Sequence, residues 1–239
     1  MIRQFQASTI GYFSAKRIGT GMTLALFDLD NTLLKGDSDY QWGEFLVRKG
    51  LVDAKTHAEA NKRFYGHYTN GTLNIREYAA FTFKFLSEHS MEQLDQWRSE
   101  YLQEDIHKMI SDAARALVEK HRALGHTLVI ITATNSFVTR PIATEFGIEN
   151  LLAVEPKIEN GRYTTEIDGI PTFREGKIER LKGWLQDRSE TLEGSYFYSD
   201  SHNDLPLLEI VDHPIAVDPD DILRAKAIAR AWPIISLRS

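Results

Sequence analysis

An α/β fold with a doubly wound parallel sheet is what this 239-residue sequence predicts. Three observations carry that expectation. Short apolar runs alternate with helical stretches through the second half of the chain, the pattern of successive strand–helix units. Two of those runs end in aspartates, at Asp28 and Asp200, and open α/β sheets bind ligands at the carboxyl ends of their strands. A long stretch without a convincing strand, 36–110, follows the first strand and reads as an inserted all-helical domain.

The first strand spans 24–27 and stops at Asp28-Leu29-Asp30-Asn31-Thr32-Leu33. Carboxylates at i, i+2 repel, so a cation or a shared proton is expected between them. One can then act as nucleophile and the other as general acid/base. The plain alternative is an acidic turn with Asn31 and Thr32 opening a helix. Helices are expected over 38–49, with Trp42, Phe45 and Leu46, and over 53–68, with Phe64, Tyr65 and Tyr68. A third covers 74–87, where Ile75, Tyr78, Phe81, Phe85 and Leu86 come close to helical spacing. A fourth opens on the capping box Ser90…Gln93 and runs to about Ile106. Their aromatics read mainly as the interior of the insertion, with one or two at its mouth free to meet a ligand.

A helix over 107–124 should end at Gly125. The mostly β-branched run 127–131 is a buried strand ending at Thr132, and Asn135 or Ser136 can cap the helix near 136–146. A strand at 151–155, a hairpin turn at Asn160-Gly161 and a helix over 174–189 follow. Then come a strand at 195–199, a short helix at 204–210, a strand at 214–217 and a helix over 219–231.

Composition narrows the function. The net charge of −6 argues against a general nucleic-acid binder. There are no cysteines, hence no disulfides and no thiolate zinc site. No apolar run approaches the ~18 residues of a membrane span, and a cytoplasmic location is expected. The eight histidines suggest no zinc site, since His57 and His67 are not at i, i+4 spacing. Residues 1–21 carry Arg3, Lys16 and Arg17 and no acid, so the rest of the chain bears −9. That segment has the flavour of a transit peptide, but Met22 directly precedes the first strand. The preferred expectation is a disordered extension or a mis-called start.

Four segments, in order, resemble the motifs of the haloacid-dehalogenase-like (HAD) phosphohydrolases. Asp28-Leu29-Asp30-Asn31-Thr32-Leu33 is similar to the first, and the strand ending in Thr132 to the second. Gly176-Lys177, opening a helix, is similar to the third. Asp200-Ser201-His202-Asn203-Asp204 is similar to the fourth, with Ser199 in place of the usual glycine. Inserted after the first strand, the helical stretch looks like the cap of the phosphoserine-phosphatase-like branch, subfamily IB. The resemblance implies a Rossmann-like core at 22–35 and 107–239 and a helical C1-type cap at 36–106.

It also implies a chemistry. Asp28 would attack phosphorus and form an aspartyl-phosphate. Asp30 would protonate the leaving oxygen and then activate water. Mg²⁺ would be held by Asp28, Asp200 and the backbone carbonyl of Asp30, and Thr132 and Lys177 would bind the phosphoryl oxygens. Asn203 and Asp204 would support Lys177, the metal waters or substrate. The second acid, Asp30, favours phosphoryl chemistry over halide displacement, which needs no proton. The implied partner is a small phosphomonoester, with neither nucleic acid nor membrane. A phosphotransferase to an acceptor alcohol and a catalytically silent phosphometabolite-binding protein are the alternatives. Asp37 falls where phosphoserine phosphatases place an acid that meets the substrate amine; for Asp37 and Asp39 alike, capping of the helix at 38–49 competes with substrate contact. The cap arginine that would meet a serine carboxylate has no counterpart, the matching stretch being Phe81-Thr82-Phe83. An amine-bearing ester such as histidinol phosphate, a lipid-derived phosphate and a sugar phosphate stay open. His202 is expected at the cleft rim, and Lys62-Arg63 and the Arg98 region on solvated faces.

Overall fold

The computed structural model describes residues 22–238, so the expectation for 1–21 lies outside the described residues. Among the described residues seven strands make one sheet: β1 (Thr23–Phe27), β2 (Thr127–Asn135), β3 (Asn150–Glu159), β4 (Arg162–Asp168), β5 (Thr191–Ser199), β6 (His213–Val217) and β7 (Ile234–Ile235). Their order is β4-β3-β2-β1-β5-β6-β7. All neighbours are parallel except β3 and β4, which form the hairpin at Asn160-Gly161. Both turn residues have positive φ, 50° and 75°, as a tight hairpin turn requires. The chain winds outward from β1 on one side, then returns to its other side through β5. β1 is therefore the switch point, and its carboxyl end faces the crevice where such sheets bind ligands.

β1 is buried on both faces, as its unbroken apolar sequence demands. Ala25 and Phe27 join one core layer with Leu128, Ile130 and Ile142. Leu24 and Leu26 join the other with Val129, Ile131, Phe197 and Leu207. Register places Phe27 between Ile130 and Tyr198; β1 stops there and β5 one residue later, while β2 continues to Asn135 past Asp28.

The insertion holds α1 (Ser38–Arg48), α2 (Ala54–Thr69), α3 (Ile75–Glu88) and α4 (Met91–Tyr101). Asp37, Asp53, Asn74 and Ser90 cap them, and the Ser90–Gln93 capping box is present. α1 and α4 are fused to the core: Trp42 packs edge-on to Phe137 at 5.6 Å, and the Tyr101 hydroxyl donates to the Ser38 carbonyl at 2.7 Å. Arg98 departs from the expected solvated face. Its guanidinium lies 4.7 Å from the Phe137 ring centre and donates to the Phe137 carbonyl. Its long stem makes that burial economical.

The helix expected over 107–124 is broken. A wide turn at Leu102–Ile106 leads into one turn, α5 (His107–Met109). Ile110 is then extended and bridges to Leu34 before α6 (Asp112–Ala123) begins. Ser111 causes the break: its hydroxyl accepts from the Ala114 N–H at 3.0 Å and donates to the Leu237 carbonyl at 2.7 Å, the preference of serine for helix starts. α7 (Ser136–Glu145), α8 (Glu175–Leu185), α9 (Leu205–Leu208) and α10 (Asp221–Ala229) complete the fold. Among the described residues no helix is long and apolar enough to cross a membrane.

Candidate active site

β1 stops at Asp28 because the next residues turn sharply. Asn31 takes φ +56°, which asparagine tolerates better than most residues. Arg238, near the other end of the chain, braces that turn from behind, donating to the carbonyls of Asn31 and Leu34 at 2.7 and 2.9 Å. The turn aims Asp28 and Asp30 into the crevice. Lys177, on the first turn of α8, lies between Asp28 and Asp204 at 2.7 Å from each, and it is 2 % exposed. Burial pushes the Asp28 carboxyl up to about 7, against the pull of Lys177. It also pushes Asp200 well up, helped by the nearby Asp28 charge.

Thr32 joins the two acids. Its hydroxyl lies 3.1 Å from Asp28 Oδ2 and 3.3 Å from Asp200 Oδ1, and it accepts the Asp200 N–H at 3.1 Å. Asp28 and Asp200 therefore converge on one small polar atom. Ser199 explains its departure from glycine: its hydroxyl donates to Asp204 at 2.7 Å and turns that carboxylate toward Lys177. Asp30 accepts from the Ser38 N–H at 2.6 Å and the Thr134 hydroxyl at 2.8 Å. Burial raises it to about 6 in spite of those donors, a suitable position for a group that gives and takes a proton near neutrality. Thr132 is buried at the end of the apolar part of β2 and accepts the Thr134 N–H at 3.1 Å.

A cavity of about 620 Å³ opens above these groups, roofed by α1, α2 and α3. Asp28, Asp30, Thr132, Lys177, Asn203 and Asp204 form its floor, and Asp37 and Asp39 stand on its side. Asp200 is not part of that lining; it reaches the site through Thr32. Asp37 does cap α1, its Oδ1 accepting the N–H groups of Asp39 and Tyr40 at 2.9 Å each. His202 is not at the rim. It is absent from the cavity lining, and its Nδ1 is 2.8 Å from Asp220, the cap of α10. Sequence reasoning passed over Thr134 and Arg174 and gave Thr32 only the opening of a helix, whereas it weighed Asp39, beside Asp37, as a helix cap or a substrate contact. Thr32 lies inside a quoted motif and could have been singled out. Arg174 gave no signal, since its role needs φ +54° and contacts from two distant segments.

The haloacid dehalogenase-like hydrolase family model matches residues 25–209. A histidinol-phosphatase from Neisseria meningitidis is 42% identical over 219 residues, 90% of this chain and 99% of that protein. A crystal structure from Bordetella pertussis, described as a protein of unknown function, is 44% identical with TM-score 0.86, covering 91% of this chain and all of that one. A phospho-aspartyl intermediate analogue of phosphoserine phosphatase superposes with TM-score 0.67 at 17% identity, over 92% of this chain and 95% of that one, a likeness of fold. This chain belongs to the haloacid dehalogenase-like hydrolase family and is an enzyme of its phosphatase branch.

Proposed function

We propose that this enzyme hydrolyses a phosphate monoester carrying a protonated amine, with L-histidinol phosphate as first candidate, through a phosphorylated Asp28. The observation that carries the reading is the pairing of two walls in one cavity. Asp28, Asp30 and Lys177 lie on the floor, while Asp37, Asp39 and Glu44 face them among Tyr40, Tyr65 and Tyr78. Among the described residues no arginine lines the cavity, so a substrate carboxylate would find no bidentate partner there; besides Lys177 the lining has one cation, the exposed Lys62. The histidinol-phosphatase relative matches along nearly its whole length.

The residues fit Mg²⁺. Asp28, Asp200 and the Asp30 carbonyl would hold it; they are hard oxygen donors that leave further positions to water and phosphate. Among the described residues no three acid, histidine or cysteine side chains cluster for a metal by themselves, so a site richer in side-chain ligands is disfavoured. The bound ion would offset the negative charge that Asp28 and the phosphoryl group share.

The remaining chemistry belongs to the chain. Lys177 fixes Asp28 and supplies positive charge to the phosphoryl oxygens. An Asp28 oxygen attacks phosphorus, the ester P–O bond breaks, and the alcohol leaves with the proton of Asp30. Water then attacks the same phosphorus while Asp30 takes its proton, and phosphate departs with Asp28 restored. The Thr132 hydroxyl orients one phosphoryl oxygen.

Phosphate release from L-histidinol phosphate, L-phosphoserine and a sugar phosphate tests the reading, with Mg²⁺ or EDTA and in Asp28→Asn. Turnover confined to the Mg²⁺ samples, absent in Asp28→Asn and highest on L-histidinol phosphate is expected. Turnover that survives Asp28→Asn would overturn the mechanism, and preference for L-phosphoserine would overturn the substrate.

A further inference from the structure

The acids on the side wall of the cavity are not equivalent. Asp37 is solvent-exposed and its Oδ1 is occupied by two N–H groups of α1. Asp39 lies one half-turn on and is 8 % exposed, yet it still lines the cavity. Its oxygens are met by the Tyr78 hydroxyl at 2.5 Å and the Asn135 amide at 3.1 Å. Both donors are neutral. The helix-end N–H groups are already taken, Ser38 by Asp30 and the next two by Asp37. Among the described residues no cation pairs with Asp39, and the charge of Asp30, which acts on it, is of like sign.

A buried carboxylate with only neutral donors is costly, and a cation delivered from outside completes it. Each oxygen has spare acceptor capacity beyond its one donor. Tyr78 on α3 holds one oxygen of the group and Asn135 at the end of β2 the other, which is how a recognition group is set before a ligand arrives. A purely structural brace would be served as well by a neutral amide, without the desolvation cost.

We propose that Asp39 is the specificity-determining residue of this enzyme, receiving the protonated nitrogen of the substrate while Asp28 and Lys177 hold the phosphate. The inference rests on the amine-bearing ester reading above, but not on the identity of the ester. Asp37 shapes the entrance and caps the helix; Asp39 reads the charge. Tyr78 is a positioning residue that fixes the Asp39 rotamer.

The test is steady-state kinetics of the full chain on O-phosphoethanolamine and n-propyl phosphate, a pair that differs by the amine, with L-histidinol phosphate alongside. The wild type should prefer the amine by about 10–100-fold in kcat/KM, the worth of one charge-assisted hydrogen bond. Asp39→Asn should bring that ratio close to one, mainly through KM for the amine-bearing ester, and Asp37→Asn should reduce it less. Should Asp39→Asn not fold, Asp39→Glu displaces the charge by one methylene and carries the same expectation. No wild-type preference for the amine would overturn the inference, as would an equal loss on both esters or a larger effect of Asp37→Asn. Failure on L-histidinol phosphate with the ethanolamine ratio intact would sink the named substrate and leave Asp39 in its role. Turnover of L-histidinol phosphate with an unmoved ratio would do the reverse.

Discussion

At the scale of single residues the site is a set of buried charges held against their preference. Lys177 is shared by two carboxylates, and removing it leaves both without a counter-charge. Lys177→Met should lower stability by about 3–5 kcal/mol in urea unfolding, besides ending turnover. Asp28→Asn should act in the opposite direction on stability. The Asp28 carboxyl is raised by burial from 3.8 to about 7, so in the metal-free protein the folded state binds more protons than the unfolded state between those values. Its contribution is therefore fully present below about pH 4 and is lost as pH rises through about 7. Urea titrations in EDTA from pH 4 to 8 should find Asp28→Asn gaining on the wild type across that window. A variant that instead loses ground as pH rises would show that Lys177 dominates over burial. Some of these residues could be read in the sequence, because Asp28, Asp30, Lys177, Asp200 and Asp204 sit at strand ends or helix starts in a fixed order. Thr32 stands in a readable motif, but no local pattern announces its contact with Asp200, 168 residues on; Ser199 meets Asp204 only five residues away.

At the scale of elements, the two halves of the insertion differ. α1 and α4 share a core with α7, whereas α2 keeps a single buried residue, Phe64. The segment joining α2 to α3 is held to the core by Arg174, whose Nη2 donates to the Gly71 carbonyl at 2.6 Å and whose Nε donates to Asn203 at 3.0 Å. Tyr68 adds a second tie, donating to Ser201 at 3.0 Å. Both ties land on the acidic loop after β5, so closure of the roof and placement of Asn203 are linked. Gly71 has φ +73°, and a Cβ there would stand 2.7 Å from the guanidinium. Arg174→Ala should raise KM several-fold and speed hydrogen exchange in residues 66–75, with little change in the melting temperature. Unchanged exchange would mean that the roof is held by its own packing. Helix starts were legible because Asp53, Asn74 and Ser90 are good caps placed before helical patterns. The break at 110–111 was not, since helical spacing continues on both sides and only a partner at Leu237 reveals that Ser111 starts a new helix.

At the scale of the whole molecule, the alternation of strands and helices made the winding of the sheet legible, but not its edges. β7 is two residues long and owes its place to pairing with β6, not to its own pattern. The sheet matters to function because β1, β2 and β5 lie side by side and bring Asp28, Thr132 and Asp200 to one end of the sheet from segments about a hundred and seventy residues apart, as the separation of 168 between Thr32 and Asp200 records. Burying that many acids around one point weakens the fold, and the same arrangement makes the fold sensitive to what binds there. A ligand that binds only the folded state adds RT ln(1 + [L]/Kd), about 1.4 kcal/mol at ten times Kd. For a chain of this size each kcal/mol moves the melting temperature by about 2–4 °C, so Mg²⁺ at that excess should raise it by about 3–6 °C. Removal by EDTA should reverse the shift, and Asp200→Asn should abolish it while leaving Lys177 paired with Asp28 and Asp204. An Asp200→Asn protein that still gains the full shift would place the ion elsewhere and would require a different account of how the charge at Asp28 is offset. Loss of the shift in that variant, with the wild type responding, would tie the stability of the whole sheet to the occupancy of the strand ends.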